Sequence, residues 1–202
     1  MNREEKDKKL EELKKEVILC QRCPLYKTRH LPVVGEGNHD AEVMFIGEAP
    51  GFNEDRTGHP FWGAAGKIFD ELLTNIGLRR EDVYICNVLK CRPPNNRNPK
   101  IEEIKACTPF LDRQIEIIQP KVICTLGNFS TKYILEKFGL GDKVAGISRL
   151  HGQVFTSQNL FNSIKIVPLY HTAVATYNPN MKPVLKKDFE ILKELLIKEK
   201  II

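Results

Sequence analysis

The sequence predicts an α/β fold, a three-layer sandwich in which helices flank a central, mostly parallel four-stranded sheet. Four short apolar runs have the length and β-branched content of buried strands, at residues 43–47, 83–88, 122–126 and 164–169. The chain between successive runs is long enough for helical crossovers, an alternation typical of a parallel sheet. With 202 residues, 42% of them hydrophobic, we expect a single domain spanning residues 1–202.

The helices follow from apolar spacing and from residues that start or stop helices. Residues 3–19 carry apolar side chains at helical intervals among Lys and Glu, which predicts an amphipathic helix packed on the body. Further helices are predicted over 64–76, 100–118, 128–138 and 183–199. We expect Asn128 to act as an N-cap, and Gly77 and Gly139 as C-terminal stops. Residues 153–157 should add an antiparallel strand, followed by a turn over 157–162.

The composition of the chain indicates its cellular compartment and the kind of molecule it can bind. Residues 1–9 are dense in charge, and no run approaches the roughly 18 apolar residues that a membrane span requires. We therefore expect no membrane association and an intracellular, cytoplasmic location, where a monomer would suffice. A net charge of +5 is compatible with a polyanionic partner, although solvated helix faces explain many of the lysines equally well.

Six cysteines in a reducing compartment argue against a disulfide framework and for a metal site or a redox pair. Two of them, Cys86 and Cys124, fall inside apolar strand runs and are expected to be buried core residues. Four thiolates suit either tetrahedral zinc or a cubane iron–sulphur cluster, and a CxxC pair alone also fits thiol redox chemistry. The other four cysteines, which include a CxxC pair, are Cys20, Cys23, Cys91 and Cys107.

Polar residues and glycines follow the carboxyl ends of the predicted strands, which is where open parallel sheets bind ligands. The first such segment starts with residues 47–51, and residues 52–63 then combine acids, aromatics and glycines in a stretch too polar and glycine-rich for regular structure. Asn87 lies at the end of the second predicted strand, and His171 follows the last one. The sequence therefore predicts a site at this edge of the sheet.

Three motifs in order resemble those of one family. They are Gly-Glu-Ala-Pro-Gly at 47–51 followed by Glu-Asp, Gly-His-Pro-Phe-Trp-Gly at 58–63, and Asn-Val-Leu-Lys-Cys-Arg-Pro-Pro at 87–94. In order and spacing the chain resembles the family 4, iron–sulphur uracil-DNA glycosylases over most of its length. The resemblance implies a hydrolase that flips uracil out of single- or double-stranded DNA and cleaves its N-glycosidic bond, leaving an abasic site. It also implies that Cys20, Cys23, Cys91 and Cys107 bind a [4Fe-4S] cluster that staples the N-terminal helix to the body.

The resemblance and the chemistry of the base together assign a uracil pocket. Phe61 would stack on uracil, while the Asn87 amide would accept from N3–H and donate to O4, a pattern that cytosine reverses. By resemblance, Glu54 lies near uracil C5 and excludes the methyl group of thymine. His171 matches the family's donor to O2, where negative charge develops as the bond breaks.

Residues of the first motif are candidates for activating the attacking water and for lining the pocket. Related glycosylases carry an aspartate where this chain has Ala49, so Glu48 is the candidate for positioning or activating the water. Gly47 and Ala49 would line the pocket through backbone groups. The chain departs from the family at His171-Thr172, where the family commonly has His-Pro.

Basic residues near these motifs are candidates for holding DNA phosphates, which orient DNA without reading its sequence. They are Lys90, Arg92, Arg97 and Arg149. Two other readings stay open at this point. One is an iron–sulphur nucleic-acid-binding protein without excision activity, and the other is an electron-transfer protein that uses the four cysteines directly.

Overall fold

The computed structural model describes residues 1–158 and 163–202, and within them the sheet has six strands. These are β1 (Glu36–Gly37), β2 (Val43–Gly47), β3 (Tyr84–Asn87), β4 (Val122–Leu126), β5 (Phe155–Gln158) and β6 (Ser163–Leu169). Their spatial order is β1-β3-β2-β4-β6-β5. The four predicted strands are the central ones, β3, β2, β4 and β6, and all of them run parallel. The predicted α/β class with a mostly parallel sheet is confirmed.

The two edge strands pair antiparallel with their neighbours, β1 with β3 and β5 with β6. Strand β5 is the extra antiparallel strand predicted from residues 153–157, beginning two residues later. The predicted turn over 157–162 lies mostly outside the described residues, and its first residue, Ser157, belongs to β5.

Eight α-helices occupy the described part of the chain. They are α1 (Arg3–Leu19), α2 (Phe52–Thr57), α3 (Ala64–Asn75), α4 (Ile101–Ile118), α5 (Asn128–Lys137), α6 (Ile147–Leu150), α7 (Val174–Tyr177) and α8 (Lys182–Lys198). The five long helices agree with the prediction to within one residue at each end. The expectation that 52–63 lacks regular structure is wrong for α2. Two acids in its first turn favour the helix, and Gly58, with a φ of 78°, ends it in the left-handed region.

The predicted N-cap Asn128 is also wrong. Gly127 occupies that position with a φ of 95°, a backbone conformation that favours glycine, and Asn128 is the first helical residue. The Asn128 side chain instead accepts a hydrogen bond from the Ile147 amide at 2.8 Å. The residue thus tethers the start of α6 rather than the start of its own helix.

Successive side chains of the central strands point alternately to the two faces of the sheet, and each face is covered by an apolar layer. On one face, Met44 and Ile46 of β2 pack with α1, α4 and α5, and on the other Val43 and Phe45 pack with α3 and α8. Cys86 and Cys124 are fully buried, one in each layer, as expected for core residues. Both layers share one sheet, which is compatible with the predicted single domain. None of the helices in the described residues is long and apolar enough to cross a membrane.

Candidate active site

A cleft of about 300 Å³ opens at the carboxyl edge of the parallel strands. The register of β2 and β3 places Gly47 beside Asn87, while His171 follows the end of β6. Of the seven residues predicted for the pocket and its chemistry, six line this cleft, and Gly47 lies directly beneath them. The six are Glu48, Ala49, Glu54, Phe61, Asn87 and His171.

The Asn87 side chain lies at the floor of the cleft with only 2% of the residue exposed. Its Oδ1 atom is buried and accepts no hydrogen bond within the described residues. A buried amide oxygen without a donor costs free energy, which makes this atom a candidate for accepting a hydrogen bond from a ligand N–H group. A methyl group at Gly47 would lie 2.3 Å from Asn87 Oδ1 and 2.7 Å from Phe61 Cζ. The absence of a side chain at Gly47 therefore leaves room for the Asn87 amide and the Phe61 ring.

Phe61 forms one wall of the cleft and is also anchored in the core. Its ring lies 5.4 Å from the His171 ring at an interplanar angle of 24°, and 5.2 Å from the ring of Phe69. The backbone of Phe61 has a φ of 52°, in the left-handed region that a bulky residue rarely adopts. The structure brings Phe61 and His171 together as predicted, while stacking of Phe61 on a base stays a prediction.

The His171 imidazole is neutral at ordinary pH. Burial lowers its pKa to about 4, although the nearby Glu54 carboxylate acts in the opposite direction. The Ala173 amide donates to Nδ1 at 3.2 Å, so this nitrogen carries no proton. A neutral ring then has its proton on Nε2, and His171 is a hydrogen-bond donor at the cleft. The next residue, Thr172, is buried, and its Oγ1 has no partner within the described residues.

The two carboxylates of the cleft differ in their surroundings. Glu54 Oε1 accepts from the amides of Trp62 and Gly63 at 2.9 and 3.0 Å, which fixes this side chain against the Phe61 turn. Glu48 forms no ion pair in residues 1–158 and 163–202, and burial raises the pKa of its carboxyl. A fixed carboxylate suits a steric and recognition role, whereas Glu48 suits proton transfer.

The four predicted cysteine ligands line a second cavity between α1, the chain after β3 and α4. Arg29 Nη1 donates to Cys91 Sγ at 3.0 Å, and the Lys90 amide donates to Cys107 Sγ at 3.2 Å. Burial raises the pKa of Cys107 to about 12, so its thiolate needs a positive partner. In the described part of the chain, no three Cys, His, Asp or Glu side chains are grouped so as to hold a metal ion, whether zinc or iron.

Residues 34–195 match the family model of the uracil DNA glycosylase superfamily. The chain belongs to this superfamily. It is 50% identical over 192 residues to a type-4 uracil-DNA glycosylase of Sulfurisphaera tokodaii, covering 95% of this chain and 86% of that protein. Identity to type-4 uracil-DNA glycosylases of Archaeoglobus fulgidus and Thermotoga maritima is 46% and 42%, with at least 92% of this chain and 92% of each relative covered. Within the superfamily, the chain thus belongs to the type-4 uracil-DNA glycosylase family.

One predicted DNA contact of this glycosylase-family chain is wrong. Lys90 is 1% exposed, and its ammonium donates to the Asn87 main-chain oxygen at 2.8 Å and to Gln114 Oε1 at 2.6 Å. The side chain turns into the core because it finds oxygen partners there, so it is not available to a phosphate. Lys90 instead supports the backbone at the cleft floor.

The other three basic candidates reach the surface. Arg97 lines the cleft, but both of its terminal nitrogens pair with Glu103. Arg92 Nε donates to Asn96 Oδ1 at 2.7 Å, and its guanidinium lies 5.1 Å from the centre of the Phe52 ring. Arg149 is exposed on α6. Their contact with DNA stays a prediction.

Several residues at the glycosylase-family cleft were not predicted from the sequence. Asn96 and Tyr177 line it, and Tyr177 is 87% exposed. Tyr177 follows His171 closely, so the extent of that loop was the signal that could have found it. Arg80 lies outside the cleft but binds the backbone of the Phe61 turn, 19 residues earlier in the chain. No local pattern reveals so distant a contact.

Proposed function

We propose that this protein is a monofunctional uracil-DNA glycosylase that hydrolyses the N-glycosidic bond of a flipped uracil. The observation that carries the proposal is the unpaired, buried Asn87 Oδ1 at the floor of a cleft shared with Phe61 and a neutral His171. An N–H group of a planar base satisfies that oxygen. The type-4 relatives, which are uracil-DNA glycosylases matched over at least 86% of their length, support the same substrate.

Asn87 reads the base edge by hydrogen bonds. Its Oδ1 accepts from uracil N3–H, and its amide donates to O4. Cytosine presents an acceptor and a donor at these positions, so both bonds fail and buried polar groups remain unpaired, at about 1 to 3 kcal/mol each. Recognition of uracil over cytosine follows from this reversal.

Glu54 and Phe61 define the rest of the base site. The Glu54 carboxylate, held by the Trp62 and Gly63 amides, lies beside uracil C5 and leaves no room for the methyl group of thymine. A steric block is required because a pocket that merely lacks a methyl contact discriminates by only about 1 to 3 kcal/mol. The Phe61 ring contributes stacking on the base face.

His171 and Glu48 carry the chemistry. As the bond between the sugar C1′ and uracil N1 breaks, negative charge on O2 is stabilised by the Nε2–H of the neutral His171 ring. Water then adds to C1′, Glu48 accepts its proton, and that proton is passed to the departing uracil. The products are free uracil and an abasic site, with no group left on the protein.

Cys20, Cys23, Cys91 and Cys107 are the residues that would hold a [4Fe-4S] cluster. When bound, the cluster supplies a covalent cross-link between the end of α1, the chain after β3 and α4. Its negative thiolate shell suits the adjacent Arg29 guanidinium and the Lys90 amide, both of which already donate to sulphur. Arg92, Arg97 and Arg149 would contact phosphates of single- or double-stranded DNA in the cytoplasm, where a monomer suffices for catalysis.

The first test uses a labelled oligonucleotide with one uracil, beside thymine and cytosine controls. We expect alkali-labile sites at uracil alone, and Asn87→Ala should lower kcat/KM by about 100-fold, since two hydrogen bonds to the base are lost. Strand scission after alkali measures the product. Uracil-DNA binding without any abasic product would instead support the rival, a binding protein that lacks excision activity.

The cluster proposal predicts that Cys107→Ala abolishes bound iron. The variant should lose visible absorbance, and α1 should become sensitive to protease because its cross-link to the body is gone. Iron content, absorbance and limited proteolysis of anaerobically purified protein measure these effects. Cys124→Ala is the matched control, a fully buried cysteine outside the cavity, and should keep its iron. Zinc instead of iron in the wild-type protein would contradict the proposal.

A further inference from the structure

The turn that carries Phe61 is held by one guanidinium group from outside the cleft. Arg80 Nη1 donates to the Pro60 carbonyl at 2.9 Å, and Nη2 donates to the Phe61 carbonyl. The same side chain pairs with Asp70 of α3 at 2.7 Å and with Glu36 of β1 at 2.9 Å. Arg80 thus joins two separate elements, α3 and β1, to the backbone of a single turn.

The two carboxylates orient this guanidinium. Glu36 uses its second oxygen to bind His59 Nδ1 at 2.6 Å, so Glu36 contacts both Arg80 and the residue before Pro60. The planar guanidinium presents several donors in a fixed fork, a geometry that lysine lacks. The Arg80 side chain is only 22% exposed, and its position is therefore determined by these partners.

The turn needs such support because its backbone is strained. Phe61 has a φ of 52°, which is costly for an aromatic residue and persists only where the surroundings enforce it. On the other side, the start of α3 packs closely against the turn. A methyl group at Gly66 would lie 1.8 Å from the Phe61 carbonyl oxygen, so the backbones approach closely there. Arg80 and Gly66 together fix where the Phe61 carbonyl lies, and hence where its ring lies.

We infer that Arg80 is a positioning residue for base recognition, which holds the Phe61 ring in the cleft through the Pro60 and Phe61 carbonyls. The inference rests on the proposed function, because it names the residue that orients the stacking ring. Arg80 does not line the cleft and touches no reacting atom. Without it the turn relaxes toward negative φ, and the ring moves away from Asn87 and His171.

The test compares Arg80→Met and Arg80→Lys with Arg79→Met. Arg79 is the preceding arginine, with a side chain 70% exposed and paired to Asp82, so its replacement should leave activity unchanged. We expect Arg80→Met to lower kcat/KM for uracil-DNA by about 100-fold and to weaken inhibition by free uracil in parallel, because a catalytic site tolerates little displacement. Arg80→Lys should recover only part of the loss, since an ammonium does not reproduce the fork.

Two further measurements separate positioning from a general loss of folding. Trp62 is the chain's single tryptophan, it follows Phe61 directly, and its ring centre lies 5.9 Å from the Arg80 guanidinium. Acrylamide should quench Trp62 fluorescence more strongly in Arg80→Met than in wild type, while Arg79→Met matches wild type. A double-mutant cycle combines Arg80→Met with Phe61→Ala. The double mutant should have a kcat/KM only slightly lower than that of Phe61→Ala alone, because the ring that Arg80 positions is already absent.

Additive effects in that cycle would overturn the inference, as would unchanged inhibition by free uracil. A lower Tm with full kcat/KM per folded molecule would overturn it as well, because it would make Arg80 merely structural. Failure of the proposed function is distinguishable from these results, since the wild-type protein would then excise no uracil.

Discussion

Gly47→Ala should lower kcat/KM for uracil excision at least about 100-fold, because the new methyl group displaces Asn87 and Phe61, the two groups proposed to recognise the base. It would lie 2.3 Å from Asn87 Oδ1 and 2.7 Å from Phe61 Cζ, separations that no packed structure tolerates. The backbone of Gly47 is ordinary strand, so the expected loss comes from these two contacts and not from backbone strain. Steady-state kinetics and inhibition by free uracil measure the effect.

Gly141→Ala is the matched control for that substitution. Its nearest non-neighbouring atom, Glu136 Cγ, would lie 3.9 Å from the new methyl group, an ordinary contact. The control should keep wild-type kinetics. We also expect Gly47→Ala to destabilise the fold by about 1 to 3 kcal/mol through overpacking, so rates are compared on folded protein well below Tm. Wild-type activity in Gly47→Ala would show that the close approach of Asn87 and Phe61 to position 47 is unnecessary.

His171→Ala should lower kcat by about 100- to 1000-fold with little change in DNA binding, as expected for loss of one donor to a developing anion. His171→Gln should keep part of the rate, because its amide still carries N–H groups. Single-turnover excision and DNA-binding assays separate the two effects. The control, His39→Ala, removes a histidine paired with Asp7 at the opposite edge of the sheet and should leave kcat unchanged.

The same histidine should also contribute to stability against acid. Its pKa is about 4 when folded and 6.5 as the ordinary value, so the unfolded chain binds the proton more tightly. The contribution is complete above about pH 6.5 and is lost as pH falls toward 4, amounting to about 2 kcal/mol between pH 7 and 5. His171→Gln should therefore lose less stability than wild type over that interval in thermal or urea unfolding. An equal loss in both proteins would contradict the buried, neutral state of His171.

Local patterns were sufficient to predict the central strands and the five long helices of this fold. The apolar runs predicted the four central strands, and the helical spacing of apolar residues predicted the five long helices. Side chains return to the same face every 2.0 residues in a strand and every 3.6 residues in a helix. Motif order brought Glu48, Glu54, Phe61, Asn87 and His171 to one edge of the sheet, where the structure places them around one cleft. Helix α2 and the Gly127 cap were missed because their signals are confined to a few residues.

The α/β class, the family and the predicted residues of the cleft could be inferred from the amino-acid sequence, since each depends on short-range periodicity or on motif order. Which polar groups find hydrogen-bond partners within the protein, and which do not, became visible once the elements were packed together. Lys90 proved to be buried against Asn87 and Gln114, whereas Asn87 Oδ1 was left without a donor. The partners of Arg80 likewise come from β1, α3 and the Phe61 turn. Such contacts join residues distant in the chain, and whether a polar group finds one depends on how the elements pack together.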